Sequence, residues 1–351
     1  MTDIKTYGFP EELIPPEGPA QPARVTAVFK GRWQLITPEG QQYATLKTKE
    51  YIYDGGQEFP TTGDYVLALP ALGDWQIVKT LPRRSFFSRL DGWHGTEQAV
   101  AANMDVVFAV QSLNENFSLK RLERYLTLSW NSGARPVVLL TKADLPGYHS
   151  EMLRQAEAVA GDAPVFALSS KTGQGMDQLA PYLRPGVTAA FLGSSGVGKS
   201  SLINALAGEE VMSVGGVREY DSAGRHTTTH RQLLLLNSGV LVIDTPGMRE
   251  LGMWDAGEGL STAFPDVEKF LGRCRFTDCK HESEPGCAIR AAIESGELSK
   301  ERWESYKQLE LESDRSRRLG ARMKQGQPSR TLSKSRRQQR KYKGKNFPGA
   351  Y

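Results

Sequence analysis

One octapeptide constrains this chain more than anything else in it. Gly193-Ser194-Ser195-Gly196-Val197-Gly198-Lys199-Ser200 satisfies G-x-x-x-x-G-K-[ST] in full. The apolar run Thr188–Leu192 before it predicts a buried strand. Ser201–Ala207 after it predicts a helix, with Leu202, Ile203 and Leu206 apolar and Gly208 as its stop. In such a unit the glycines let backbone N–H groups turn inward around a phosphate, so Gly193–Ser201 is expected to wrap a nucleotide's phosphates. Lys199 would reach the β- and γ-phosphates and the Ser200 hydroxyl would ligate Mg²⁺.

Two further segments extend the expectation. Asp244-Thr245-Pro246-Gly247 follows the apolar run Val240–Ile243. A carboxylate at that strand end can hold the Mg²⁺ shell, and the Gly247 N–H can turn toward a γ-phosphate. Between the two motifs lies Gly224-Arg225-His226-Thr227-Thr228-Thr229. One of its threonines can complete the Mg²⁺ shell when a γ-phosphate is present. Spacing does not choose among them, and Thr228 is taken for the role.

The base is read from two tetrapeptides. Thr141-Lys142-Ala143-Asp144 follows the apolar run Pro136–Leu140, and Ser169-Ser170-Lys171-Thr172 follows Val165–Leu168. The Asp144 carboxylate could accept from guanine N1–H and the 2-amino group, donors that adenine lacks. Lys142 would lie along the purine face, and the Ser169–Lys171 backbone could donate to O6. GTP is therefore expected over ATP. The order is inverted, because the guanine motifs precede the phosphate loop. That is a circular permutation.

The remainder divides by pattern. Residues 1–22 read as an irregular lead-in. Five short strands are predicted over 23–82: Arg24–Phe29, Trp33–Thr37, Gln41–Leu46, Asp64–Leu69 and Trp75–Lys79, parted by turn signals such as Lys30-Gly31 and Leu72-Gly73-Asp74. That count suggests an OB-fold barrel, with an SH3-like barrel still open. Residues 83–100 read as a linker, basic and aromatic through Arg83, Arg84, Phe86, Phe87, Arg89 and Trp93; these either pack between domains or stack on nucleic acid. Residues 101–258 alternate strand and helix, an α/β pattern, and no internal repeat is present.

All three cysteines fall in one window: Cys274, Cys279, His281 and Cys287 form C-x₄-C-x-H-x₅-C within residues 259–314. Three thiolates and one imidazole suit a closed tetrahedral Zn²⁺ of structural kind, the alternative being three reduced thiols in a small core. The knuckle would present Arg273, Arg275 and Lys280. A helical stretch, Ser299–Lys324, then enters the last segment, 315–351, which is expected to be disordered.

Charge points to a polyanionic partner. From Arg315 to Tyr351 there are 13 Lys and Arg and no acid, leaving 31 basic against 40 acidic residues in the rest. The alternative is a solvated tail with no fixed partner. Hydrophobic residues at 39% exclude a wholly disordered chain, and no run of about 18 apolar residues predicts a membrane span. The start of the chain has no apolar h-region, and an odd cysteine count gives no disulfide framework, so a reducing cytoplasm is expected.

Permuted guanine, phosphate and switch motifs, an N-terminal barrel and a C-terminal Cys₃His knuckle together resemble the ribosome-small-subunit-dependent GTPase A family, over about residues 24–310. The resemblance implies a circularly permuted GTPase domain that docks, with an OB-fold and a zinc domain, on the 30S subunit and its 16S rRNA during late maturation. The family's guanine motif often begins with Asn, where this chain has Thr141. Many GTPases place a water-orienting Gln after D-x-x-G, and here that place is Met248. The resemblance implies His226 as its replacement, with slow turnover until the ribosome orders the switch. Switches of this type act mostly as monomers. The competing expectation is an RNA-binding module whose nucleotide is merely structural.

Overall fold

The computed structural model describes residues 2–15, 18–47, 51, 58–90, 97–147, 149–212, 231–244, 253 and 256–324. The first five strands are β1 (Gln21–Phe29), β2 (Arg32–Thr37), β3 (Gly40–Leu46), β4 (Tyr65–Leu69) and β5 (Trp75–Thr80). Side chains alternate across a strand. Ala23 and Val25, Trp33 and Leu35, Val66 and Ala68, and Trp75 and Ile77 therefore turn inward together as one core. The sheet closes because β1 pairs with both β2 and β4, while β3 and β5 run parallel. The order β1-β2-β3-β5-β4-β1 is a five-stranded closed barrel, as an OB-fold requires.

The segment 83–100, expected as a linker, is not an irregular connector. It carries most of an antiparallel ribbon of β6 (Phe86–Leu90) and β7 (Glu97–Ala102). Aromatic and apolar residues alternating with polar ones suit a pleated, half-buried surface. The packing alternative holds for two of its residues. Phe87 is buried in the main core, and Arg83 grips the Asp64 carboxylate with Nε and Nη2, each at 2.8 Å.

The α/β part contains β8 (Val106–Ser112), β9 (Arg135–Thr141), β10 (Val165–Ala167), β11 (Thr188–Leu192), β12 (Gln232–Leu235) and β13 (Leu241–Asp244). Five are parallel in the order β10-β9-β8-β11-β13, and β12 is antiparallel on β13. Helices α1 (Leu119–Asn131) and α2 (His149–Ala160) cover one face, and α3 (Lys199–Ala207) covers the other. Burial on both faces explains the near-continuous apolar runs of these strands.

Among the described residues the barrel pairs with this sheet at Ala27, opposite Gln232. Arg24 makes a further link. It sits on the outward face of β1, yet it is fully buried. Its guanidinium donates to Gly63 O (3.3 Å), Asn103 O (3.3 Å), Thr188 Oγ1 (2.8 Å) and Tyr7 O, and stands 4.8 Å over the Tyr65 ring. One side chain thus ties the lead-in, the barrel and the start of β11.

The C-terminal part is helical: α4 (Gly257–Ala263), α5 (Pro265–Glu268), α6 (Ala288–Ser295) and α7 (Lys300–Lys324). Its core is continuous with that of α1, through Leu260, Phe264, Val267 and Tyr306. The helices approach closely at Gly259, where a Cβ would stand 2.4 Å from Thr127 O. Arg124 on α1 makes a two-point bridge to Glu312 on α7, at 2.5 and 2.7 Å. Residues 315–324, expected as the start of a disordered tail, instead continue α7, and the tail beyond Lys324 lies outside the described residues.

Candidate nucleotide site and metal centre

Parallel strands end on one edge of their sheet, and ligands of open α/β sheets bind there. Ser112, Thr141, Ala167, Leu192 and Asp244 are the last residues of the five parallel strands. The residues that follow β9, β10 and β11 carry the predicted guanine and phosphate motifs, and β13 ends at Asp244, so the permuted order still collects these positions on one edge.

The phosphate loop connects β11 to α3. Gly193 admits no side chain, because a Cβ would lie 2.8 Å from Val110 O and 3.0 Å from Val197 Cγ2. Gly196 and Gly198 have φ of +78° and +93°, a region that side chains disfavour. Val197 is buried under the loop, whereas Ser195 and Gly196 are exposed. The Lys199 ammonium donates to Gly193 O at 2.7 Å and Ser194 O at 2.8 Å, bracing the loop. Ser200 and Ser201 stand in the first turn of α3, whose leading N–H groups lack helical partners.

The guanine loops are stitched to this loop and to each other. The Thr141 hydroxyl is 2.5 Å from Val197 O and 3.1 Å from Gln111 O. Lys142, at φ +63°, donates from Nζ to Gly196 O at 2.8 Å. The Ser169 hydroxyl donates to Asp144 Oδ1 at 2.7 Å, which holds that carboxyl below its usual range. Ser169 Oγ also accepts from the Lys171 and Thr172 N–H groups at 3.2 Å, and Ala143 N–H donates to Leu168 O at 3.1 Å.

The metal candidates converge as well. One ligand atom from each of Cys274, Cys279, His281 and Cys287 lies within 4.8 Å of the others. His281 Nδ1 is 3.4, 3.6 and 3.3 Å from the Sγ atoms of Cys274, Cys279 and Cys287, and the Cys274 and Cys287 sulfurs are 3.9 Å apart. Zn–S bonds of about 2.3 Å set tetrahedral edges of about 3.8 Å, so the donor set fits a four-coordinate ion bound through Nδ1. Backbone N–H groups of Ala288 and Arg290 point at the Cys274 and Cys287 sulfurs, at 3.4 and 3.5 Å. The Trp303 ring packs edge-on to His281, with centroids 5.3 Å apart. Glu284 accepts from the Lys280, Glu282 and Ser283 N–H groups and is lowered to about 2 by them. Arg273, Arg275 and Lys280 are exposed around the knuckle.

The RsgA GTPase family model matches residues 80–254. The small ribosomal subunit biogenesis GTPase RsgA 1 of Listeria monocytogenes is 46% identical over 289 residues, 82% of each chain. The chain belongs to the RsgA GTPase family.

The RsgA protein of Methanosarcina acetivorans, also named a small ribosomal subunit biogenesis GTPase, is 42% identical over 82% of this chain and 79% of its own. Among solved structures, YjeQ from Thermotoga maritima aligns with a TM-score of 0.61 and 27% identity, covering 84% of this chain and 98% of that one. YloQ, described as a circularly permuted GTPase, aligns at 0.57 and 25% identity, covering 84% and 96%. An ABC transporter model also matches residues 176–339, a span that includes the phosphate loop. Among the described residues no helix is long and apolar enough to cross a membrane.

Within the RsgA frame, the phosphate loop, both guanine loops and the Cys₃His set are each brought together. Asp244 ends β13, beside β11. His226, Thr228, Gly247 and Met248 lie outside the described residues. Sequence reasoning missed Asn116. Its Nδ2 reaches Ser194 Oγ at 3.4 Å and Ser195 O at 3.5 Å, and Arg121 Nη2 fixes its Oδ1 at 3.0 Å. The signal available was its place, just past the end of a predicted parallel strand.

Proposed function

We propose that this chain hydrolyses GTP to GDP and phosphate on the maturing small ribosomal subunit, and that hydrolysis releases it. The observation that carries this is the pair of bonds from Thr141 and Lys142 to phosphate-loop carbonyls. They fix the distance between the base-reading and phosphate-binding loops.

Asp144, kept ionised by Ser169, accepts from guanine N1–H and the 2-amino group. Among the described residues the Ser170 N–H has no recorded partner, whereas its neighbours' N–H groups at 169 and 171 are engaged. It is the donor for O6. The stem of Lys142 lies along the base. The N–H groups of Gly193–Ser201 surround the phosphates, and Lys199 leaves its loop carbonyls for the β- and γ-phosphates. Ser200 and Thr228 would hold Mg²⁺ together with Asp244, and the Gly247 N–H would serve the γ-phosphate. The ion, when bound, offsets charge on the phosphate oxygens. His226 orients the attacking water in place of Met248.

Cys274, Cys279, His281 and Cys287 hold one structural Zn²⁺, which ties the knuckle. The barrel (23–82), the exposed arginines of the knuckle and the basic tail (315–351) meet 16S rRNA of the 30S subunit. The chain acts as a cytoplasmic monomer. Its contrast of basic tail and acidic body supports a polyanionic partner.

Single-turnover GTP hydrolysis with and without small subunits tests the assignment. Strong stimulation is expected. Met248 favours the second reading, a nucleotide-dependent RNA-binding module, and tight subunit binding with no stimulated hydrolysis would establish that instead.

A further inference from the structure

Guanine carries two acceptors on its outer edge, O6 and N7. O6 has a donor in the Ser170 N–H, on the guanine assignment proposed above, and the present inference rests on that assignment. N7 needs another. The side chain between Asp144 and the phosphate loop is Thr141, and its hydroxyl has a single proton. Both oxygens within reach, Val197 O at 2.5 Å and Gln111 O at 3.1 Å, are carbonyls and can only accept. The proton is therefore committed. Thr141 and Val197 are buried, so turning the hydroxyl away would break a hydrogen bond that water does not replace. Three neighbouring donors are engaged as well: Lys142 Nζ faces Gly196 O, Ala143 N–H faces Leu168 O, and Asn116 Nδ2 faces Ser194 Oγ and Ser195 O.

We infer that this site reads guanine without a hydrogen bond to N7, and that Thr141 is a positioning residue that fastens the phosphate loop to the guanine loop. Its substrates then include guanine nucleotides altered at N7, of which 7-deaza-GTP, with C–H in place of the nitrogen, is the simplest. An asparagine amide has two N–H donors. Thr141→Asn can keep one on Val197 O and offer the other to the base, so it should create the discrimination that the native residue lacks.

The experiment is competition binding of GTP, 7-deaza-GTP and ATP to the full chain. The native protein should bind GTP and 7-deaza-GTP within about twofold, since no hydrogen bond is lost. Thr141→Asn should prefer GTP by about tenfold, one net hydrogen bond. Thr141→Val should weaken both guanine nucleotides equally, and Thr141→Ser, which keeps the hydroxyl, should restore both. A native protein that excludes ATP but loses tenfold or more on 7-deaza-GTP reads N7, and the inference is overturned while the guanine assignment stands. Equal binding of ATP and GTP overturns the assignment itself. The native comparison needs no variant to fold.

Discussion

The guanidinium of Arg302 on α7 donates to Glu123 on α1 at 2.8 Å, across 179 positions of sequence. Both side chains are nearly sealed from solvent, 8% and 4% exposed. The same guanidinium holds Asp266 at 2.9 Å and Ala263 O at 2.6 Å, and the Ser305 hydroxyl donates to the second Glu123 oxygen. Removing one member of a buried pair strands the other's charge. Arg302→Ala should cost about 3–5 kcal/mol, whereas Arg302→Met combined with Glu123→Leu should be near neutral. Thermal unfolding of the metal-loaded protein checks this, and a neutral single variant would show that the pair does not hold the C-terminal helices.

Base choice should depend on one carboxylate. Asp144→Asn replaces an acceptor of two hydrogen bonds with an amide that can donate. GTP affinity should fall by tenfold or more, and affinity for xanthosine triphosphate, whose 2-oxo group accepts, should rise. Competition binding reads both, and unchanged GTP affinity would remove Asp144 from the base site.

The Ser169 hydroxyl sets the acid limit of that carboxylate. Its bond lowers the Asp144 pKa, so the ionised form persists as pH falls and is lost only through the depressed value. Ser169→Ala should raise the midpoint toward the ordinary carboxylate range. An NMR titration of the side-chain carboxyl carbon measures it, and an unmoved midpoint would discount the bond.

Metal content should be one Zn²⁺ per chain by elemental analysis. Cys279→Ser should lose it and destabilise the region after residue 260, with GTP affinity nearly intact because the guanine and phosphate loops lie on the sheet edge. A folded C-terminal region in zinc-free protein would show that the cluster is a reduced thiol core.

The tail should contribute by neutralising phosphate. Ending the chain after Lys324 keeps α7 whole and removes eight basic residues and no acid. If half of them engage rRNA, the slope of log affinity against log salt should flatten by about three, at about 0.7–0.9 per contact. An unchanged slope for subunit binding would make the tail a solvated appendage.

Most of the framework was legible because local rules and global packing agree. Turn signals parted the barrel strands, and apolar runs named the parallel ones. The ribbon at 86–102 was not read, although Asp91-Gly92 between two alternating runs is a turn signal. Arg24 reads as a solvent-facing residue of a half-buried strand, since sequence does not say that a second body covers that face. The partnership of Arg302 with Glu123 has no local signature at all. Asn116 is a loop polar residue like many others until β8 is set beside β11.

Arg24 has a consequence for how the molecule responds to its medium. The cation that joins barrel to phosphate-loop strand rests on carbonyls and a hydroxyl, sealed from water, with no carboxylate in hydrogen-bonding contact among the described residues. Dissolved ions weaken exposed charges over about 10 Å at 0.1 M and reach buried ones much less. Raising ionic strength should therefore peel the chain from a polyanion while the buried Arg24 contacts between barrel and sheet persist.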